Sequence, residues 1–106
     1  MFIDGALRAQ TAALSLPYVN TDKEGNLGML QYTEEELCQF IDRINKKGFR
    51  LEIHTIGDRA ADVALDCLEK ANVPPEMRPI FVHCQILRDD LIERFFILFL
   101  FCSCKF

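Results

Sequence analysis

Apolar residues recur with a helical period after the first third of the chain. Thr33 is followed three positions later by Glu36, a pair that caps a helix N-terminus reciprocally. Apolar side chains then occupy positions i, i+3, i+4 and i+7: Leu37, Phe40, Ile41 and Ile44. The pattern predicts an amphipathic helix that begins after Thr33 and ends at Gly48, because glycine readily takes the left-handed conformation of a helix end.

Beyond Gly48 the period changes from helical to alternating. Apolar residues alternate with polar ones: Phe49, Leu51 and Ile53 against Arg50, Glu52 and His54. This alternation predicts a strand that ends at His54. Gly57 and Asp58 then predict a turn. Small and apolar residues at helical spacing predict a second helix: Ala60, Ala61, Ala64, Leu65, Leu68 and Ala71.

A second strand and a third helix complete the pattern. Residues 79–83 (PIFVH) are typical of a short buried strand that again ends in a histidine, His83. Asp89 or Asp90 begins a third helix, which continues through Phe95. Strict alternation of strands and helices predicts right-handed βαβ units around a parallel sheet, and therefore the α/β fold class.

Two segments fall outside this alternation. Residues 15–32 are rich in turn-forming residues and predict a long polar loop, of a length that is usually functional or disordered. Residues 95–102 (FFILFLFC) are eight consecutive apolar residues, fewer than the roughly 17–25 that a membrane-spanning helix needs. We interpret them as a buried strand or a misplaced segment and expect no membrane partner.

Composition narrows the class of protein. With 106 residues, 50% of them hydrophobic, and a net charge of −4, the chain has the profile of one small globular domain. The mildly acidic balance without a basic patch argues against nucleic acid and favours small molecules or protein as partners. The first residues lack a charged segment followed by an apolar run, which argues against a signal peptide.

The cysteines favour a reducing environment. Five are present, an odd number without a C-x-x-C pair, whereas a disulfide framework or a zinc knuckle normally shows paired spacing. We therefore expect reduced thiols and an intracellular, cytoplasmic setting. Cys102 and Cys104 form a C-x-C pair, which we interpret as incidental because two thiolates without further ligands are weak support for a metal site.

Both histidines fall at predicted strand ends. His54 and His83 are 29 residues apart, about the length of one βαβ unit, which puts them at equivalent places on neighbouring parallel strands. Their side chains are expected to converge at the carboxyl edge, where (β/α)8 barrels carry catalytic groups and where imidazole commonly binds zinc. The alternative is a pair of hydrogen-bonded histidines packed under loops. Spacing alone leaves both interpretations open.

Three blocks of sequence resemble one enzyme family. Residues 4–18 (DGALRAQTAALSLPY), 54–66 (HTIGDRAADVALD) and 82–95 (VHCQILRDDLIERF) are similar, in this order, to amidohydrolase family 3, the YtcJ-like metal-dependent hydrolases. The resemblance implies part of a (β/α)8 TIM barrel, about strands 4–6 with their helices. It implies hydrolysis of carbon–nitrogen bonds other than peptide bonds in a small amide-type substrate, by water that a divalent metal, usually zinc, activates.

The resemblance assigns both histidines and also shows which family residues have no counterpart. It makes His54 the metal ligand after the fifth barrel strand and His83 the ligand after the sixth. The family's paired histidines on the first strand and its aspartate base after the eighth are not matched, so the catalytic base is unknown. We expect residues 1–95 to be a fragment of the catalytic barrel and residues 96–106 to be an unrelated apolar tail. A homo-oligomer of the full-length protein is compatible with the resemblance.

Four further residues are candidates for the substrate loop or for support of the metal ligands. Asp4 and Gly5 match a family loop near the active-site mouth, although a plain turn explains them equally well. Asp58 could orient His54 or the substrate loop, but an aspartate that opens a helix is more often an N-cap. Gln85 could point into the same cavity, whereas a glutamine bonded to backbone is the ordinary case.

A non-catalytic protein is the alternative to the enzyme. Such a truncated fragment would retain only the two histidine ligands and would act as an interaction module by pairing the open edges of its sheet. We do not expect catalysis by this chain alone, because part of a barrel leaves strand edges unpaired and apolar faces uncovered. Hydrolase activity with added metal distinguishes the two interpretations.

Overall fold

Helices and parallel strands alternate along the chain, as the sequence pattern predicts. The computed structural model describes residues 1–19, 25–97 and 101–103. The elements in order are helix α1 (Glu34–Lys46), strand β1 (Glu52–Thr55), helix α2 (Asp58–Lys70), a 3₁₀ turn (Pro75–Met77), strand β2 (Ile80–His83), helix α3 (Asp89–Ile97) and strand β3 (Phe101–Ser103). The strands form a parallel sheet in the order β1–β2–β3, which confirms the α/β class.

The first residues extend the sheet beyond β1. Phe2 forms a parallel bridge with His54. The amide of Ile3 donates to the His54 carbonyl at 3.1 Å, and the amide of His54 donates to the Met1 carbonyl at 2.7 Å. The terminal amine of Met1 donates to the Glu52 carbonyl at 3.0 Å. The N-terminal segment therefore lies beside β1 as a further parallel segment.

One face of the sheet is buried against the helices. On β1 the side chains of Ile53 and Thr55 are buried, whereas Glu52 is exposed and His54 is half-buried. This alternation follows from the period of two of a strand. Phe81 continues the buried face on β2. Apolar residues of all three helices complete the core: Leu37, Ile41, Ala60, Ala61, Ala64, Leu65, Leu68 and Leu91.

Helix α1 begins where the capping signal predicts. Thr33 Oγ1 accepts a hydrogen bond from the Glu36 amide at 3.2 Å, and the Glu36 carboxylate accepts one from the Thr33 amide at 3.1 Å. Each side chain thus satisfies a backbone amide that the helix itself leaves without a partner. Leu37 and Ile41, four residues apart, are the buried residues of this helix and form its apolar face.

The end of α1 delays the start of β1. Gly48 has φ +77°, and its amide donates to the Asn45 carbonyl at 3.0 Å. The amide of Phe49 donates to the Ile44 carbonyl at 3.3 Å, which completes a glycine-ended helix terminus. Because this terminus includes Phe49, the strand that was predicted to begin there begins only at Glu52, and Phe49 is exposed.

The apolar segment 95–102 is not a single strand. Phe95 belongs to α3, where it is buried with Leu91 one turn earlier, and its ring lies 4.7 Å from the Phe81 ring, centroid to centroid. The helix continues because Leu91 and Phe95 share its core-facing side. Strand β3 follows, while residues 98–100 and Cys104 of the C-x-C pair lie outside the described residues. Within the described ranges no helix is long and apolar enough to cross a membrane.

Two cysteines are joined, contrary to the expectation from their number and spacing. Cys38 on α1 and Cys67 on α2 form a disulfide with Cα atoms 4.6 Å apart. The two residues are 29 positions apart in the sequence, and the packing of α1 on α2 brings them together. Local spacing cannot reveal a pairing that depends on how two helices pack.

Replacing Thr33 with alanine is expected to loosen the first turn of α1, because the Glu36 amide loses its acceptor. We expect the free energy of local opening to fall by about 1 kcal/mol, which corresponds to roughly fivefold faster amide exchange in this turn. Hydrogen–deuterium exchange of the peptide that covers residues 33–46 measures the effect. Gln39→Ala is the control, since Gln39 is exposed on the same helix. Equal exchange rates in the two variants would contradict the capping role.

Candidate metal centre

The two histidines lie side by side at the carboxyl edge of the sheet. His54 is the third residue of β1, and His83 is the last residue of β2. Their ring centroids are 4.1 Å apart and their planes meet at 71°. The side chains therefore converge, as expected for neighbouring strand ends. Their role as metal ligands stays a prediction.

The convergence has a cause that the sequence pattern does not show. The register pairs His54 with Val82 and Thr55 with His83, so the two histidines are offset by one residue. In a regular pleat His83 would share the helix-facing side of Thr55, opposite to His54. His83 instead has φ +78°, a left-handed conformation that interrupts the pleat. The expectation of equivalent positions is therefore wrong, and a local change of backbone direction brings the imidazoles together.

Cys84 continues the left-handed backbone, with φ +46°. Its amide donates to the Thr55 carbonyl at 2.8 Å, and its buried sulfur lies 3.5 Å from Thr55 Oγ1. Two residues after Cys84, the amide of Ile86 donates to the Ile56 carbonyl at 3.0 Å. Left-handed non-glycine residues cost about 1–3 kcal/mol each and persist where surrounding contacts hold them, often at functional sites. These bonds hold the turn in place.

The environment of His54 favours the neutral form of its imidazole. Its Nδ1 atom is buried and has no hydrogen-bond partner within the described part of the chain. Burial lowers the pKa of His54 below its usual 6.5, and neighbouring His83 lowers it further, against an opposing effect of Asp4. Divalent metals bind the neutral form of imidazole through a nitrogen lone pair. A buried nitrogen without a partner, next to a second imidazole, fits a metal ligand.

Two imidazoles are part of a ligand set. Catalytic zinc sites usually have about three protein ligands. Within residues 1–19, 25–97 and 101–103, no group of three histidine, cysteine, aspartate or glutamate side chains is arranged to hold a metal ion. A complete site built on His54 and His83 therefore requires ligands from outside these residues.

Asp4 supports the turn that follows β1. Its carboxylate is buried and accepts hydrogen bonds from three amides. The donors are Ile56 at 3.0 Å, Gly57 at 2.8 Å and Ala13 at 2.9 Å. These charge-assisted bonds satisfy the buried carboxylate and join the N-terminal segment to the turn. Asp4 thus holds the backbone at Ile56, which lies two residues after His54.

Backbone packs directly against backbone where α2 begins. Gly57 is the N-cap of α2 and has no side chain that could cap it. The Ala13 carbonyl serves instead, accepting from the amides of Arg59 at 3.1 Å and Ala60 at 3.4 Å. A Cβ on Gly57 would lie 1.9 Å from this carbonyl oxygen, so a larger residue does not fit. Asp58, the expected N-cap, is the first helical residue, and Gly57 before it is the N-cap.

Asp58 connects the start of α2 with two other parts of the molecule. Its buried carboxylate accepts hydrogen bonds from the amide and the hydroxyl of Ser15, and from the amide of Arg59. The guanidinium of Arg88, in the connection between β2 and α3, lies 3.8 Å away. These contacts tie the loop after residue 13 to the start of α2. They indicate a role in holding this loop, and a role of Asp58 in orienting His54 or the substrate loop stays a prediction.

The last two candidates occupy different environments. Gly5 lies in a tight turn, where its amide donates to the Thr11 carbonyl at 3.3 Å. A Cβ on Gly5 would lie 2.0 Å from Thr11 Oγ1, so the close approach of these residues favours glycine. Gln85 follows β2 by two residues and its side chain is exposed. The structure places Gly5 in the turn that also contains Asp4, and Gln85 at the surface.

An aromatic residue that the sequence did not single out lies against His54. The Phe2 ring centroid is 4.6 Å from the imidazole centroid, and Phe2 is 65% exposed. The parallel bridge between Phe2 and His54 places their side chains on the same face of the sheet. Phe2 was not predictable as a neighbour of His54, because the pairing of its segment with β1 joins residues that are distant in the sequence.

Comparison with known proteins gives a consistent result. The family model described as "Amidohydrolase family" matches residues 1–100. The protein YtcJ of Bacillus subtilis, whose name assigns it to the amidohydrolases, is 34% identical over 94 residues. That match covers 89% of this chain but 17% of YtcJ, so the chain spans about a sixth of the length of this relative.

Solved structures agree with the sequence comparison. Uncharacterized metal-dependent hydrolases of Pyrococcus furiosus and Pyrococcus horikoshii superpose on this chain with TM-scores of 0.82 and 0.83, at 37% and 38% identity. Each match covers 97% of this chain, and 21% and 20% of the two neighbours. Both neighbours are described as metal-dependent hydrolases.

Replacing Asp4 with asparagine is expected to loosen the turn after β1. The carboxamide has one acceptor oxygen, and its amino group would face amides that now donate to Asp4. A buried donor left without a partner costs about 1–3 kcal/mol, so exchange of the amides at residues 13, 56 and 57 should rise by at least roughly fivefold. Hydrogen–deuterium exchange measures this, with Asp42→Asn on the surface of α1 as control. Unchanged exchange at these amides would exclude the supporting role.

His54 is expected to titrate below pH 6.5. Because folding lowers the pKa of His54, the unfolded chain binds a proton between the two pKa values that the folded chain does not. The contribution of His54 to stability is therefore full above pH 6.5 and is lost as the pH falls toward the folded-state pKa. NMR titration of the imidazole resonances in the metal-free protein gives the midpoint. A His54 midpoint at or above 6.5 would show that burial does not disfavour the charged form.

Proposed function

We propose that this chain, which belongs to the amidohydrolase family, supplies two imidazole ligands to the divalent-metal centre of a hydrolase that cleaves carbon–nitrogen bonds other than peptide bonds. The observation that carries the proposal is the convergence of His54 and His83, with 4.1 Å between ring centroids, at the carboxyl edge of parallel strands. Catalytic and ligand-binding groups of α/β folds lie at that edge.

Two features of this chain favour metal binding by the imidazoles. Burial lowers the pKa of His54, which favours the neutral imidazole, and its buried Nδ1 has no hydrogen-bond partner within the described residues. His83 is brought beside it by its left-handed backbone. When bound, the metal supplies a Lewis acid that polarises an amide carbonyl and lowers the pKa of water. Imidazole nitrogens suit zinc, which is therefore the metal that we propose.

We propose that the framework is part of a (β/α)8 barrel, about strands 4–6. The N-terminal segment, β1 and β2 would be these three successive strands. Their parallel pairing, the helices on one face and the similarity to metal-dependent hydrolases support this assignment. The division into a barrel fragment at residues 1–95 and an unrelated tail at 96–106 stays a prediction. So does the position of the catalytic base on another part of the barrel.

The substrate that we propose is a small amide-type molecule. The exposed ring of Phe2 beside His54 offers an apolar surface next to the proposed metal. The acidic chain has no basic patch that would favour nucleic acid. A cytoplasmic location and a homo-oligomer of the full-length protein accompany this proposal.

The second candidate function is a non-catalytic fragment that acts as an interaction module. The observation in its favour is the exposure of large apolar side chains: Phe96 is 84% exposed, and Phe2 and Phe49 are each 65% exposed. Such side chains are usually covered by another protein or by the rest of a domain. The intact mass of the natural gene product separates the two candidates, since the enzyme requires the additional ligands that a longer chain would supply.

Removal of either imidazole is expected to abolish metal-dependent hydrolysis in the intact protein. His54→Ala and His83→Ala should each weaken zinc binding by more than the roughly 10–100-fold that loss of an outer-shell partner causes. Zinc titration by calorimetry and hydrolysis of a panel of N-acyl substrates measure both effects. Val82→Ala is the matched control, because Val82 is the register partner of His54 and no metal ligand. Unaltered zinc affinity in both histidine variants would refute the assignment.

A further inference from the structure

The two residues of the disulfide between the helices differ in exposure. Cys38 on α1 and Cys67 on α2 have Cα atoms 4.6 Å apart, within the range in which a disulfide closes without backbone movement. Cys67 is completely buried. Cys38 is partly exposed and lines a surface groove of about 700 Å³. We therefore expect a dissolved reagent to reach Cys38 before Cys67.

The groove carries an excess of negative charge. Its lining includes Glu34, Glu35 and Asp42, against a single amine, Lys70. Lys70 pairs with Glu34 at 3.2 Å, and Lys46, outside the lining, pairs with Asp42 at 2.8 Å. Within the described residues Glu35 has no such ion pair. A groove with this charge attracts cationic reagents and repels anionic ones.

The reduced form also fits the packing of the helices. Cys67 Sγ lies 3.6 Å from the Glu34 carbonyl oxygen. In the disulfide this sulfur carries no proton, whereas the thiol that forms on reduction is a donor with an acceptor already in place. The thiol that reduction produces at Cys67 would therefore have a hydrogen-bond acceptor beside it.

We propose that Cys38 and Cys67 are a reversible thiol–disulfide site, opened by low-molecular-weight thiols that enter through the acidic groove, with cationic thiols preferred. An external thiolate attacks Cys38 Sγ, and the electron pair of the broken sulfur–sulfur bond goes to Cys67, which is then protonated. A second thiolate attacks the external sulfur of the mixed disulfide and releases Cys38. Two external thiols are oxidised to one disulfide as the protein disulfide is reduced to two thiols, and an external disulfide reverses the reaction.

The test follows opening of the disulfide in the intact protein by quenched alkylation and mass spectrometry of the two cysteine peptides. The probes are cysteamine (cationic), 2-mercaptoethanol (neutral) and glutathione (anionic). Each rate is divided by the rate of the same thiol with a small neutral disulfide. We expect cysteamine to be roughly three- to tenfold faster than glutathione at low ionic strength, and the ratio to approach one in about 1 M salt. The first adduct should be on Cys38.

A pair of charge variants isolates the role of the groove. Glu35→Gln should raise the normalised rate of glutathione and narrow the preference for cysteamine, because it removes one negative charge from the lining. Glu93→Gln, on α3 and outside the lining, should leave both rates unchanged. Three results would each overturn the proposal. They are equal normalised rates of cysteamine and glutathione at low salt, a first adduct on Cys67, and full alkylation of both thiols after the reduced protein has been treated with cystamine.

Discussion

A buried carboxylate fixes the first residues of the chain to the rest of the molecule. A charge taken out of water costs several kcal/mol unless hydrogen bonds replace its hydration, so Asp4 requires the three amides that converge on it. Those amides belong to residue 13 and to the turn after β1. Once they are held together, the Ala13 carbonyl can cap α2 and Phe2 lies beside His54. Much of the site's geometry therefore depends on one side chain.

The candidate metal centre combines a regular strand with an irregular one. His54 points away from the helices because the pleat of β1 directs it there, whereas His83 reaches the same place by leaving the pleat. The left-handed residues are held by backbone bonds to Thr55 and Ile56, so their strain is offset by neighbouring structure. The result is a pair of adjacent imidazoles, one of them with a pKa that burial lowers.

The helices are attached to one another by different means. Helix α1 has its own caps and is joined to α2 by the Cys38–Cys67 disulfide. Helix α3 is fastened to α2 by Arg94, which donates to Asp66 at 2.8 Å and to Glu69 at 3.2 Å. Individually such exposed pairs contribute little, but several on one arginine act as a network. All three helices thus form one layer, and the opposite face of the sheet carries His54.

Local pattern was sufficient for much of this protein. The capping box at Thr33, the helix end at Gly48 and the α/β alternation depend on residues within one or two turns of each other, and these predictions are confirmed. The strand-end positions of His54 and His83 followed from the same periodicity. The resemblance of short blocks to a known family added what periodicity cannot supply, the chemistry that those positions serve.

Tertiary structure alone decided the remaining features, because each depends on residues distant in the sequence. The one-residue offset between the histidines arises from strand register, and the left-handed turn at His83 compensates for it. Gly57, and not Asp58, is the N-cap of α2, and the carbonyl of residue 13 accepts hydrogen bonds from the first turn of the helix. Cys38 meets Cys67 because two helices pack. Sequence by itself thus determined the elements and placed the histidines at strand ends, while contacts between elements determined where their side chains point.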